Sequence, residues 1–361
     1  MDFRSDNVTG AAPEILTAVA AANTGTATAY GDDEITARVE RRLGELFEAE
    51  VAAFPVATGS AANSLALGVL APPYGVVYCH PLAHVNVDEC GGPEFYTGGA
   101  KLVPLPGADG KMAAADLEAT LAESGAGVVH HAQPAAVSLT QATECGTVYK
   151  PAEVAALAEV AHRHGLKVHM DGARFANAVA ALGCAPADLT WRAGVDVLSF
   201  GATKNGALAA EAVVFFDRAL AASFGFRRKR AGHLFSKMRF LSAQLEAYLA
   251  DGLWLRLASH ANAMAARLGR GLAAIPGARL AFPVEANEVF AVLPDPVISG
   301  LEAEGFRFFR WTGPSGASMG GPTIRLVTAF NTKAAAVDAF VAATARLMAA
   351  AGAETRTRAA Q

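Results

Sequence analysis

A chain of 361 residues exceeds what one hydrophobic core usually organises, so two domains, or one large domain with a smaller partner, are expected. With 52% apolar and 18% charged residues and a mean hydropathy of +0.27, the chain can bury a large core, which excludes disorder. Thirty basic against 34 acidic residues leave a net charge of -4, no footprint for a nucleic-acid backbone or an anionic membrane, and favour small-molecule chemistry.

The four cysteines, Cys79, Cys90, Cys145 and Cys184, are scattered with no CxxC pair, which predicts reduced thiols in a cytoplasm. The start, MDFRSDNVTG, is charged at once and predicts no signal peptide. The uncharged run from Val51 to Val87 is punctuated by Pro55, Gly59, Asn63, Pro72, Pro73 and Gly75, so it reads as buried strand and helix rather than a membrane span.

Through the first 220 residues, strand-length apolar runs alternate with periodic segments, the pattern of a mainly parallel α/β sheet with helices on both faces. A strand is expected over Val51 to Val56, then a helix from Ala61 to Leu70. Pro151 to Gly165 opens with Pro and closes with Gly, marking a crossover helix. It feeds a strand ending at Asp171, a helix from Arg174 to Leu182, a strand DVLSF from Asp196 to Phe200, and a strand ending at Phe216. Beyond about His233, long helices at Phe235 to Ala250 and Leu257 to Ala274, the strands EVFAVL and TIRLVT, and a helix from Thr332 to Ala349 predict a smaller C-terminal α+β domain. The expected division is 1–245, including the N-terminal segment, then 246–350, with 351–361 as a frayed tail.

The residues with chemical promise lie at strand ends. DGAR (Asp171 to Arg174) and SFGATKNG (Ser199 to Gly206) each follow a buried strand, where open α/β sheets bind ligands. Lys204, among small residues between apolar strands, is expected to be desolvated and nucleophilic, which suits a Schiff-base lysine. Read alone it is a solvated loop lysine, and Asp171 alone is a helix cap. Gly172 and Ala173 beside Asp171 suggest instead a close approach by a flat ligand, and an ionised aspartate against a pyridinium nitrogen is what a pyridoxal phosphate (PLP) electron sink needs. Gly59 and Ser60 precede a helix whose N-terminus suits a phosphate, with Ser60 as an ordinary cap the competing reading. His80, His84, His130 and His131 with Cys79 and Cys90 lack zinc-ligand spacing, so no metal is expected, and His84 reads better as an imidazole stacked on an aromatic ligand. RRKR (Arg227 to Arg230) reads as a loop that helps hold a phosphate.

RSDNVT, AYGDD, ATGSAAN, HVNVDE, HMDGAR and SFGATKNG occur in the order found in the fold-type-I PLP enzymes of the threonine aldolase and β-eliminating lyase group, and the resemblance spans Phe3 to about Ala329. It implies Lys204 as the aldimine lysine, Asp171 on the pyridine nitrogen, Arg174 near the cofactor phenolate or the substrate carboxylate, Gly59 and Ser60 on the phosphate, and His84 stacked on the ring. Ser5 and Arg325 match positions for the amino-acid carboxylate. It further implies retro-aldol cleavage of L-threonine, L-allo-threonine and related β-hydroxy-α-amino acids to glycine and an aldehyde through a glycine quinonoid, in a homodimer or homotetramer with active sites at the interface. Where many members carry an Asn-Thr-His-Asn histidine, this chain has QATECGTV from Gln141 to Val148, which leaves His84, directly or through a water, as the base for the β-hydroxyl. The alternatives are β-elimination, transamination or racemisation on the same fold, or a sensor module without turnover.

Overall fold

The computed structural model describes residues 1–312 and 319–359. Contacts divide it into two units: Gly10–Glu144 with Val148–Leu255, and Met1–Thr9 with Cys145–Thr147 and the chain from Arg256 onward.

The larger unit carries strands β1 (Ala52–Val56), β2 (Gly75–Cys79), β3 (Lys101–Pro104), β4 (Gln133–Thr140), β5 (Lys167–Gly172), β6 (Val197–Gly201) and β7 (Glu211–Phe215). They form one sheet in the order β1-β7-β6-β5-β4-β2-β3. From β6 to β3 every neighbouring pair is parallel. β7 alone runs against its neighbours β6 and β1, because it follows β6 after a short connection with no room for a crossover helix. Every position of β6 and β7 is buried, which explains their near-continuous apolar sequence: both faces of the sheet are covered.

Local signals place the crossover helix Pro151–Arg163. Pro151 stands at its first turn, Glu153 accepts a hydrogen bond from the Lys150 N–H at 2.6 Å, and Gly165 follows with φ +76°. The helix Gly59–Leu70 lies against β5, β6 and β7 and buries Ala62, Leu65 and Ala66 with Val197, Val213 and Phe215.

The smaller unit has an antiparallel sheet in the order β10-β11-β9-β8, comprising β8 (Arg279–Leu280), β9 (Glu288–Val292), β10 (Phe309–Trp311) and β11 (Thr323–Val327). Its core joins Phe3, Leu268, Val289, Ile324, Leu326, Val337 and Phe340. Phe3 is the physical reason that the N-terminal segment belongs here and not with residues 10–245 as expected: its N–H donates to Arg307 O at 2.7 Å, its carbonyl accepts from Val327 N–H at 2.8 Å, and its ring meets Phe340 edge-on. The division also falls later than residue 245, at Leu255.

Three further elements differ from expectation. RRKR lies on a helix, Phe224–Arg230, with Arg228 buried over the Phe54 ring and donating to Pro55 O at 3.2 Å. The helix expected from Phe235 starts at Arg239. The last helix, Ala334–Ala359, continues through most of the expected tail, whose Ala, Glu and Arg residues are good helix formers. Ala334–Ala353 is long and apolar enough to cross a membrane, yet Val337, Phe340 and Ala343 sit in the core of the smaller unit.

Candidate active site

Asp171 is the second-last residue of β5, in register with Thr140 of β4 and Ser199 of β6, and is almost fully buried. Its Oδ1 accepts from the Ala173 N–H at 3.0 Å, and its Oδ2 accepts from Asn63 Nδ2 at 2.9 Å. Asn63, on the second turn of Gly59–Leu70, uses the other hydrogen of that amide to reach Glu89 Oε1 at 2.8 Å. The same Glu89 oxygen holds His84 Nδ1 at 2.9 Å, so one connected network links Asp171, Asn63, Glu89 and His84. Burial pushes the Glu89 carboxyl up, and its bond to His84 pulls the imidazole up as well. The His84 side chain keeps 28% of its surface exposed, which leaves ring area available to a flat ligand.

Two residues before Asp171, on the same face of β5, His169 is fully buried, with Nδ1 at 2.9 Å from Ser138 Oγ and Nε2 at 2.9 Å from Ser199 Oγ. Burial drives its pKa down to about 4, so the layer beneath Asp171 is polar but uncharged.

The helix Gly59–Leu70 starts earlier than expected, and Thr58 rather than Ser60 caps it: Thr58 Oγ1 accepts from Ala61 N–H at 3.2 Å and its carbonyl from Ala62 N–H at 3.0 Å. The amides of Gly59 and Ser60 stand at the positive end of the helix dipole, and a Cβ on Gly59 would project into open space. Lys204 sits half-buried in the turn Thr203–Asn205 just after β6. Facing that turn from the first position of β7 is Glu211, whose Oε2 accepts from Ala202 N–H at 2.9 Å. Burial raises the Glu211 carboxyl to about 7, against the downward pull of its hydrogen bonds and of the Lys204 charge.

The small residues of DGAR and SFGATKNG have a structural cause. A Cβ on Gly172 would lie 2.7 Å from Ser199 O, and one on Gly201 would lie 2.5 Å from Ala173 O. The two strand ends touch backbone to backbone, so their glycines bring Asp171 and the Lys204 turn together rather than admitting the ligand, as the sequence suggested. Arg174 is buried at the cap of the helix Phe175–Leu182.

In the smaller unit, Ser5 Oγ caps the turn Asp6–Val8 by accepting from Asn7 N–H at 3.1 Å. Arg325, on β11 and paired on both sides, donates through Nε to Glu288 Oε1 at 3.0 Å and through Nη2 to the same oxygen. Both ring nitrogens of His80 are engaged, Nδ1 by Leu82 N–H and Nε2 by Gly107 O, and burial pushes the Cys79 thiol up to about 12, so neither is a ready metal ligand.

Asn63, His169 and Glu211 were missed at the sequence level. A signal existed for Glu211, the lone acid opening the otherwise apolar strand EAVVF, and for Asn63, one helical turn beyond Gly59.

The larger unit suits PLP. Asp171 is a buried, doubly hydrogen-bonded carboxylate for a ring nitrogen, His84 offers a ring face, and the Gly59 and Ser60 amides a phosphate cradle. Asn63 Oδ1 is buried without a partner beside them, an acceptor left open to a polar group the polypeptide does not supply.

The β-eliminating lyase family model matches residues 2–295. A low specificity L-threonine aldolase of Pseudomonas aeruginosa is 49% identical over 87% of this chain and 90% of its own length. The solved threonine aldolase of Leishmania major superposes with a TM-score of 0.89 at 31% identity, covering 96% of this chain and 99% of that one. The serine palmitoyltransferase of Sphingomonas wittichii, at 16% identity and a TM-score of 0.71 over 98% of this chain and 88% of its own, shares the fold alone. With strand order, buried network and these likenesses in agreement, the chain belongs to the low-specificity L-threonine aldolases, PLP-dependent aldehyde-lyases of fold type I within the β-eliminating lyase family.

Proposed function

We propose that this protein cleaves L-threonine, L-allo-threonine and related β-hydroxy-α-amino acids to glycine and an aldehyde. The observation that carries this reading is the network Asp171–Asn63–Glu89–His84, at the sheet end from which Lys204 emerges. When bound, PLP supplies an electron-withdrawing ring for the charge left as the Cα–Cβ bond breaks. Lys204 holds the cofactor through its amine. Asp171, oriented by Asn63 and Ala173, keeps a proton on the ring nitrogen, and the amides of Gly59 and Ser60 hold the phosphate. Arg174 serves the phenolate oxygen or the substrate carboxylate.

His84 would lie against the bound ring and would take the β-hydroxyl proton, directly or through one water. Its bond to Glu89 makes it a stronger base and fixes which nitrogen is engaged. Ser5 and Arg325 remain in this reading as the residues for the amino-acid carboxylate, Arg325 with a guanidinium whose orientation Glu288 sets.

A cytoplasmic location is supported by the four scattered cysteines, none of them in a CxxC pair. Assembly as a homodimer or homotetramer is supported by the exposed Phe95 and Phe226 and by an apolar groove of about 760 Å³ lined by Leu65, Leu70, Pro72, Tyr96 and Arg227.

Incubation of the PLP-loaded protein with L-threonine tests the reaction: glycine and acetaldehyde in equal amounts are expected. A 2-oxo acid with ammonia, or the D-amino acid, would replace this reading with elimination, transamination or racemisation. The Lys204→Ala protein should lose the visible absorbance of lysine-bound PLP, and retention of that band would remove Lys204 from its role.

A further inference from the structure

Glu211 is costly where it stands. It opens β7 between Val56 of β1 and Gly201 of β6, in a strand with no exposed position, and burial penalises its charge. An apolar side chain of similar length would remove that penalty, so what the carboxylate does has to be sought in what it touches.

It touches the turn that carries Lys204. Oε2 accepts from the Ala202 N–H at 2.9 Å, and the Thr203 hydroxyl exchanges hydrogen bonds with the backbone of Ala210, the residue before Glu211. On the far side of Lys204, Asn205 Nδ2 donates to Tyr248 OH at 2.7 Å and to Trp254 O at 2.8 Å. The turn is therefore gripped at Ala202 and Thr203 on one side and at Asn205 on the other, with the lysine between the two grips.

We propose that Glu211 is a positioning residue for Lys204: its buried carboxylate, by accepting the Ala202 N–H, fixes the turn Thr203–Asn205 so that the lysine amine leaves the sheet in one direction. This rests on the reading of Lys204 as the PLP-holding residue. Without the acceptor, the Ala202 N–H is buried and unpaired, and the turn shifts to satisfy it. A displacement of about 1 Å at a reacting group costs up to a hundredfold in rate.

The test compares PLP-loaded wild type with Glu211→Gln, Glu211→Met and Glu211→Asp. Three readouts apply: the visible absorbance of lysine-bound PLP, retention of PLP on dialysis, and kcat separately from KM, with circular dichroism reporting the fold. Gln keeps an acceptor at the same reach, so Glu211→Gln is expected to hold the wild-type band and retention. Met fills the space without an acceptor, and Asp is one methylene too short. Both are expected to shift or weaken the band, to release PLP about tenfold faster, and to lower kcat tenfold or more at little change in KM.

A folded Glu211→Met protein with wild-type band, retention and kcat overturns the proposal, as does a Glu211→Gln protein as impaired as Glu211→Met. If Glu211→Met does not fold, Glu211→Asp decides: impairment supports the positioning role and wild-type behaviour overturns it. The Lys204→Ala protein separates the two readings, because a band that survives there removes the lysine assignment whatever Glu211 does.

Discussion

Asp171 and Glu211 in the larger unit, and Glu288 in the smaller, are all buried acids, but they are held differently. Asp171 and Glu211 stand at strand ends and accept from a backbone or amide N–H rather than from a fixed counterion. Glu288 begins β9 inside an antiparallel sheet and accepts two bonds from one guanidinium, that of Arg325. An acid held by neutral donors remains available for chemistry, whereas one closed into an ion pair mainly holds structure.

The comparison is open to direct attack. Its largest expected effect is on stability in the smaller unit: Glu288→Ala leaves the partly buried Arg325 guanidinium without that carboxylate and should cost about 3 kcal/mol, read as a lower urea midpoint. Asp171→Asn should lower kcat by a hundredfold or more, about 3 kcal/mol in the barrier, because an amide cannot hold a proton on a ring nitrogen, with a smaller fall in the urea midpoint because an amide accepts only one of the two N–H bonds that the carboxylate accepts. If Asp171→Asn instead unfolds the protein while Glu288→Ala leaves stability untouched, the contrast between the units fails.

Glu211 gives the pH-dependent version. Its folded-state pKa of about 7 lies above the ordinary 4.5, so its contribution is fully present below about pH 4.5 and is lost as pH rises through about 7. Two and a half pH units at about 1.4 kcal/mol each make that loss roughly 3–4 kcal/mol. Glu211→Gln should therefore gain stability relative to wild type between pH 5 and 8, and equal stability differences at both ends would show that the carboxyl does not titrate in this range.

Much of the larger unit was legible from local pattern. The crossover helix announced itself through Pro151 and Gly165, and β6 through its continuous apolar run, because these signals act within a few residues. The position of β7 against β1 was not legible, since strand order depends on which surfaces cover each other and not on any one segment. For the same reason the N-terminal segment was assigned to the wrong unit: Phe3 finds its partners at Arg307, Val327 and Phe340, some 300 residues away.

The site divides in the same way. Asp171, Lys204, His84, Gly59 and Ser60 could be named as candidates from the sequence, because their residue types and positions at strand ends or beside a helix start, taken together with the motif order, carry the chemical signal. Only the tertiary structure placed Asn63 between Asp171 and Glu89, closed His169 between two serine hydroxyls, and set Glu211 against the lysine turn. It also showed that Gly172 and Gly201 are small because two strand ends meet there. Those relations join residues up to 108 positions apart through hydrogen bonds and van der Waals contact, which exist only once the sheet has assembled.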